Sequence, residues 1–90
     1  MKSSEHSTQS LASAFGAILA ARRKKRGFSQ MDLAVTSGYS LRYIGDIERG
    51  TKSPTLRTMQ DLATLLGVRL SQIVLEAERM SEDNSRPNRR

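Results

Sequence analysis

The 90-residue sequence contains no cysteine and only one histidine. Disulfide bonds and thiolate metal sites are therefore excluded, and a reducing, cytoplasmic location is the natural expectation. The single histidine, His6, lies in a polar segment, and the sequence has neither a glycine-rich phosphate loop nor the paired carboxylates typical of acid–base catalysis. We therefore predict no catalytic residue, no metal site and no cofactor.

Long hydrophobic runs are also absent. The purely apolar stretches are only a few residues long, whereas a membrane-spanning helix needs roughly 20 apolar residues. The N-terminal segment lacks the apolar region of a signal peptide. We expect a soluble protein that is not bound to a membrane.

The charge of the sequence is strongly positive, with 15 Lys and Arg against 9 Asp and Glu and a formal net charge of +6. Such a charge favours polyanionic partners, with nucleic acid first and acidic membrane surfaces second. Because the chain is long enough for one modest hydrophobic core, these partners must bind to the surface of a single domain.

Helical periodicity, capping residues and glycines predict five helices and no strand. The first helix extends from Leu11 towards Gly27. Residues suited to N-capping precede the next three helices, at Ser29, Ser40 and Thr55, and glycines end them, at Gly38, Gly50 and Gly67. Apolar residues at helical spacing give these helices a buried face, formed by Leu33 and Ala34, by Ile44 and Ile47, and by Leu56, Met59, Leu62, Ala63 and Leu66.

A fifth helix begins near Ser71 and carries Ile73, Val74 and Ala77. The fold class is therefore all-α, with one domain over residues 11–79. The polar composition of residues 1–10 predicts a flexible arm, and that of residues 80–90 a disordered tail.

Two short helices joined by a tight glycine turn form the arrangement that projects a helix into DNA. The run YIGDIERG from Tyr43 to Gly50, followed by Pro54, Thr55 and Leu56, resembles the helix-turn-helix of the phage-repressor and Cro-like family. Further matching positions are Gln30, Leu33, Ala34 and Gly38. The resemblance covers about residues 11–79 and implies a five-helix, lambda-repressor-like domain, a third helix that recognises DNA, and a homodimer on a palindromic operator. It implies a sequence-specific regulator of transcription that binds double-stranded DNA, most often as a repressor.

Three residues of the third helix match family positions that face base edges: Leu41, Arg42 and Asp46. The Arg42 guanidinium can bond to guanine O6 and N7, or alternatively contact a phosphate, and Leu41 can pack on a thymine methyl. An acid near phosphates is repelled unless it accepts from cytosine or orients a basic side chain such as Arg42, so a purely structural role for Asp46 is the alternative.

Four further residues match family positions that contact phosphates: Gln30, Arg49, Lys52 and Thr55. The hydroxyls of Ser40 and Tyr43 can also contact a phosphate, and that of Ser40 a base instead. Gln30 would use the free N–H groups at the start of a helix, with plain solvent exposure as its alternative. For Tyr43 the alternative is a partly buried ring, and for Ser40 it is capping alone. The basic run over residues 22–26 either complements the negative end of the first helix or adds phosphate contacts.

The resemblance also implies a buried ion pair between Arg23 and Glu48, which would hold the third helix at a fixed angle. We expect apolar residues of the fifth helix, namely Leu70, Ile73 and Val74, to contribute to a homodimer interface. The alternative function is that of an antitoxin, which binds a toxin protein and uses its helix-turn-helix to repress its own operon.

Overall fold

The computed structural model describes residues 10–85, with side chains as far as residue 82. These residues form five helices and no strand: α1 (Leu11–Lys25), α2 (Gln30–Ser37), α3 (Leu41–Arg49), α4 (Leu56–Leu65) and α5 (Leu70–Ser85). The predicted all-α, five-helix fold is confirmed.

Local hydrogen bonds explain where the helices begin and end. The hydroxyls of Ser29, Ser40 and Thr55 each accept a hydrogen bond from the backbone N–H three residues later. Gly38 and Gly50, which follow α2 and α3, have φ values of 85° and 79°. These values lie in the left-handed region, which residues other than glycine rarely adopt. The turn between α2 and α3 is therefore only three residues long, from Gly38 to Ser40.

One hydrophobic core draws residues from all five helices. Its largest fully buried side chains are Leu19, Leu33, Ile44, Ile47, Leu62 and Ile73. Helix α1 packs against both α3 and α5, while α2 packs against α3 and α4. The short α2 and α3 are therefore held on a scaffold made of the three longer helices.

The structure corrects three expectations about the ends and faces of the helices. Helix α5 begins at Leu70 and extends to Ser85, so the prediction of a disordered tail is wrong for residues 80–85. Met80 lies seven residues after Ile73 and continues the buried face of α5, where it packs against the core. Leu56, expected on the buried face of α4, is 69% exposed because it occupies the first position of that helix, at the edge of the domain.

The expected arm over residues 1–9 and the expected tail over residues 86–90 lie outside the described residues. No helix within residues 10–85 combines the length and the hydrophobicity needed to span a membrane.

Candidate nucleic-acid interface

Helix α3 has one face in the core and one face in solvent. Ile44 and Ile47 are fully buried, which anchors the helix to the domain. On the other face Leu41 is exposed and the Arg42 side chain is 88% exposed. Two of the three predicted base contacts, Leu41 and Arg42, therefore project outward from a firmly held helix.

Asp46, the third predicted base contact, is engaged within the domain. One carboxylate oxygen, Oδ1, accepts a hydrogen bond from the Arg49 guanidinium at 2.7 Å and a longer one from the Thr51 hydroxyl at 3.4 Å. The other oxygen lies 3.9 Å from Nε of Arg42. This arrangement supports the role in which Asp46 orients basic side chains, here Arg42 and Arg49.

A buried polar cluster joins α3 to α1 and to the start of α2. Arg23 donates from Nε and from a terminal nitrogen to the two carboxylate oxygens of Glu48, at 2.7 and 3.0 Å. Its other terminal nitrogen donates to the carbonyl oxygen of Phe28 at 2.8 Å. The hydrogen bonds to Glu48 raise the pKa of Arg23, which outweighs the opposing effect of burial. The structure thus brings together Arg23 and Glu48, whose side chains are only 8% and 6% exposed.

Gln30, the predicted phosphate contact of α2, belongs to the same cluster. Its side-chain nitrogen donates to Oε1 of Glu48 at 2.8 Å, a partner for which the sequence contains no signal. The side-chain NH₂ is therefore turned towards the domain. A phosphate contact at this position would use the backbone N–H groups of the first helical turn, since these have no partner inside the helix.

The start of α2 also carries a reciprocal pair of capping bonds. The Ser29 hydroxyl accepts from the backbone of Asp32, and the Asp32 carboxylate accepts from the backbone of Ser29. The latter bond stabilises the ionised carboxylate and lowers the pKa of Asp32. Its contribution to stability is present above the ordinary pKa of aspartate, and it is lost as the pH falls through the lower pKa of the folded state.

The other predicted phosphate contacts surround the exposed face of α3. Arg49 and Lys52 are exposed. The hydroxyls of Ser40 and Thr55 already cap helices. The Tyr43 ring is half-buried and meets Tyr39 edge-on, with ring centroids 5.6 Å apart. Lys52 is therefore the freest of the group to reach a phosphate, because the exposed Arg49 is paired with Asp46.

The predicted dimerisation residues of α5 differ in burial. Ile73 is fully buried in the core of its own chain, so its expected role in an interface is wrong. It lies on the face of α5 that packs inside the domain. The spacing of apolar residues along a helix shows that a face is buried, but not whether the same chain or a second subunit covers it. Leu70 is half-buried against the core, and Val74 is half-buried along an apolar groove.

That apolar groove, of about 310 Å³, lies between α1, the α3–α4 loop, α4 and α5. Its lining includes Leu11, Phe15, Pro54, Leu56, Met59 and Val74. Leu11 and Leu56 are large apolar residues that remain exposed at its rim. The groove therefore exposes apolar side chains of α1 and α4 beside Val74 of α5.

Comparisons with known proteins agree with this geometry. A model of the helix-turn-helix family matches residues 19–73, a segment that includes all of α2, α3 and the turn between them. Over 59 residues the chain is 36% identical to an uncharacterised HTH-type transcriptional regulator of Sinorhizobium fredii, a match covering 66% of this chain and 77% of that protein. Over 73 residues it is 36% identical to the immunity repressor protein of Bacillus phage phi105, covering 81% of this chain and 51% of the repressor.

A solved structure is also similar. The clp gene regulator ClgR from C. glutamicum has a TM-score of 0.80 and 26% sequence identity, with 84% of this chain and 97% of that chain covered. The likeness thus extends over most of the described helices, whereas the chain spans only about half the length of the phage repressor.

Proposed function

We propose that this chain, which belongs to the helix-turn-helix family of DNA-binding transcriptional regulators, acts as a homodimeric repressor that inserts α3 into the major groove of a palindromic operator. The family and the fold are those of DNA-binding regulators and not of enzymes. The observation that carries the proposal is the exposed Arg42 on the face of α3 opposite the buried Ile44 and Ile47. The phage relative is an immunity repressor, which supports repression.

The buried cluster around Glu48 supports a recognition role for α3. It connects α3 to α1 through Arg23 and to the start of α2 through Gln30. Base contacts depend on placing a side chain within hydrogen-bond distance of a base edge, so the orientation of the helix must be held firmly. We assign this positioning to Arg23 and Glu48, and phosphate contacts to Lys52, Arg49 and the backbone at Gln30.

We assign the apolar groove to the interface with a second copy of the chain. The α3–α4 loop contributes Pro54 to the groove and also carries Lys52, a proposed phosphate contact. A second subunit bound to this groove would lie beside the same DNA. The two α3 helices would then be roughly 34–36 Å apart, which is one turn of the DNA. Covering the exposed Leu11 and Leu56 would also remove apolar surface from water.

Selection of preferred sites from random duplex DNA tests the proposal. We expect an enriched palindrome, bound by two subunits per duplex, with half-sites about one DNA turn apart. Weak binding without an enriched sequence would count against a sequence-specific repressor. It would favour the antitoxin alternative, which predicts a protein partner that co-purifies with the chain.

The oligomeric state without DNA tests the groove separately. Leu56→Glu should convert the dimer to a monomer in sedimentation, because a charge would be buried at the interface. Val35→Glu is the matched control, since Val35 is 74% exposed on α2 and lies away from the groove. Equal behaviour of the two variants would exclude the groove as the interface.

Arg42 and Lys52 should have different effects on DNA binding. Arg42→Ala is expected to relax the preference at one position of each half-site by about 1–3 kcal/mol, because it removes a contact to a base edge. Lys52→Ala should weaken binding to all sequences and lower the slope of log K against log salt concentration by about one. Titrations against the selected palindrome and against single-base variants, at several salt concentrations, measure both effects.

The control for these two variants is Arg79→Ala. Arg79 is exposed on α5, and its replacement removes the same charge without touching α3 or the α3–α4 loop. We expect it to leave base preference unchanged. An Arg42 variant that only changed the salt dependence would assign Arg42 to a phosphate, and a Lys52 variant that changed base preference would contradict the phosphate assignment.

A further inference from the structure

A second concave surface, distinct from the apolar groove, is strongly basic. It lies where the C-terminal end of α1 meets the turn between α4 and α5, and it encloses about 460 Å³. Four cationic side chains line this basic pocket: Arg22, Lys25, Arg26 and Arg69. None of its other lining residues is acidic.

One of the four cations is already paired. Arg22 donates to the carboxylate of Glu76 on α5. Lys25, Arg26 and Arg69 are exposed, and none of the three forms an ion pair within the part of the chain that the structure describes. The C-terminal ends of α1 and α4 both lie here, and each supplies a partial negative charge of roughly 0.5. The start of α5 also lies here and adds a partial positive charge of similar size. The helix ends therefore offset at most about one of the three unpaired positive charges, and an excess of about two or more remains.

Arg26 lies beside the turn between α4 and α5 within the basic pocket. Gly67, with φ at 70°, has no side chain, and a Cβ built there would lie 2.7 Å from a terminal nitrogen of Arg26. The guanidinium therefore lies across the turn, against Gly67. The carbon of the same guanidinium lies 5.8 Å from the centroid of the Phe28 ring. These two contacts place the Arg26 cation between the turn and the Phe28 ring.

We propose that the basic pocket binds a phosphate group. Guanidinium groups match the geometry of phosphate oxygens, and an ammonium group adds a compact positive charge. A phosphate group carries between one and two negative charges near neutral pH, which suits the excess of about two positive charges. Helix α4 separates this pocket from Thr55, and its ten residues span about 15 Å. The site is therefore separate from the phosphate contact proposed on the α3–α4 loop.

Titration of the whole chain with inorganic phosphate, followed by amide chemical shifts at constant ionic strength, tests the pocket directly. We expect saturable shifts centred on Gly67, Val68 and Arg69, and about tenfold weaker binding by Arg69→Gln, which removes a charged donor. Arg79→Gln is the matched control and should bind phosphate as the parent chain does. Melting curves of both variants check that the fold is retained.

A second measurement identifies the source of the phosphate. If operator-flanking DNA occupies the pocket, Arg69→Gln lowers the salt slope of operator binding by about one, and only on duplexes long enough to reach it. If a free phosphorylated molecule occupies it, inorganic phosphate binds and the salt slope is unchanged. The proposal is overturned if phosphate produces no saturable shifts and the salt slope is also unchanged, or if Arg79→Gln has the same effects as Arg69→Gln. The phosphate titration contains no DNA, so its outcome is independent of the proposed operator function.

Discussion

Replacing Glu48 with alanine is expected to lower the free energy of unfolding by about 3–5 kcal/mol. The change leaves the Arg23 guanidinium in a site where its side chain is only 8% exposed, without the carboxylate that accepts two of its hydrogen bonds. Gln30 loses its acceptor at the same time. Urea or thermal unfolding of the variant and the parent chain measures the difference.

The pair formed by Arg22 and Glu76 provides the matched control. It also joins a residue of α1 to an acid on another helix, but its side chains are 26% and 35% exposed. Ion pairs that reach solvent contribute about 0–1 kcal/mol, so Glu76→Ala should be nearly neutral. Equal losses from Glu48→Ala and Glu76→Ala would show that burial of the Arg23 and Glu48 pair has no special importance.

The same variant should separate folding from DNA recognition. At a temperature where Glu48→Ala remains folded, α3 loses its polar connection to α1 and to the start of α2. Because base contacts require a fixed helix orientation, we expect operator binding to weaken more than binding to unrelated DNA. An unchanged ratio of specific to non-specific affinity in the folded variant would limit Glu48 to a role in stability.

The sequence predicted the helix boundaries well because these depend on local interactions. The hydroxyls of Ser29, Ser40 and Thr55 bond to backbone groups three residues away, and Gly38 and Gly50 provide left-handed conformations directly after α2 and α3. Such interactions involve near neighbours in the chain and are visible in a short window of sequence. The end of α5 is harder to predict, because its polar composition masks the continued helical spacing of Met80 with Ile73.

Three-dimensional neighbours were harder to predict. The bond from Gln30 to Glu48 joins residues 18 positions apart, and the engagement of Asp46 by Arg49 and Thr51 depends on the path of the α3–α4 loop. The burial of Ile73 and the exposure of Leu56 depend equally on how α5 packs against α1 and α4. Helical spacing identifies an apolar face but not the surface that covers it. For this reason Ile73, which was expected at a dimer interface, lies in the core of its own chain.

Replacing Gly16 with alanine is expected to lower the free energy of unfolding by about 1–3 kcal/mol. The sequence around Gly16 contains no signal of this effect. Alanine is favoured over glycine inside a helix by about 1 kcal/mol, so propensity alone predicts the opposite sign. In the structure, however, a Cβ at Gly16 would lie 2.1 Å from the carbonyl oxygen of Ile47 and 2.9 Å from that of Glu48. These are backbone atoms of α3, so the clash can be relieved only by moving α1 away from α3.

Gly45→Ala is the control that isolates this effect, because it makes the same chemical change inside α3. A Cβ at Gly45 would meet only the terminal atoms of the Arg49 side chain, at 3.0 Å, and this flexible group can move aside. We therefore expect Gly45→Ala to be neutral or stabilising by up to about 1 kcal/mol, while Gly16→Ala destabilises in the same unfolding assay. If both variants gained stability, close packing of α1 against α3 would not limit the fold. The expected opposite signs would instead place Gly16 beside Arg23 and Glu48 among the residues that set the position of α3, the proposed recognition helix.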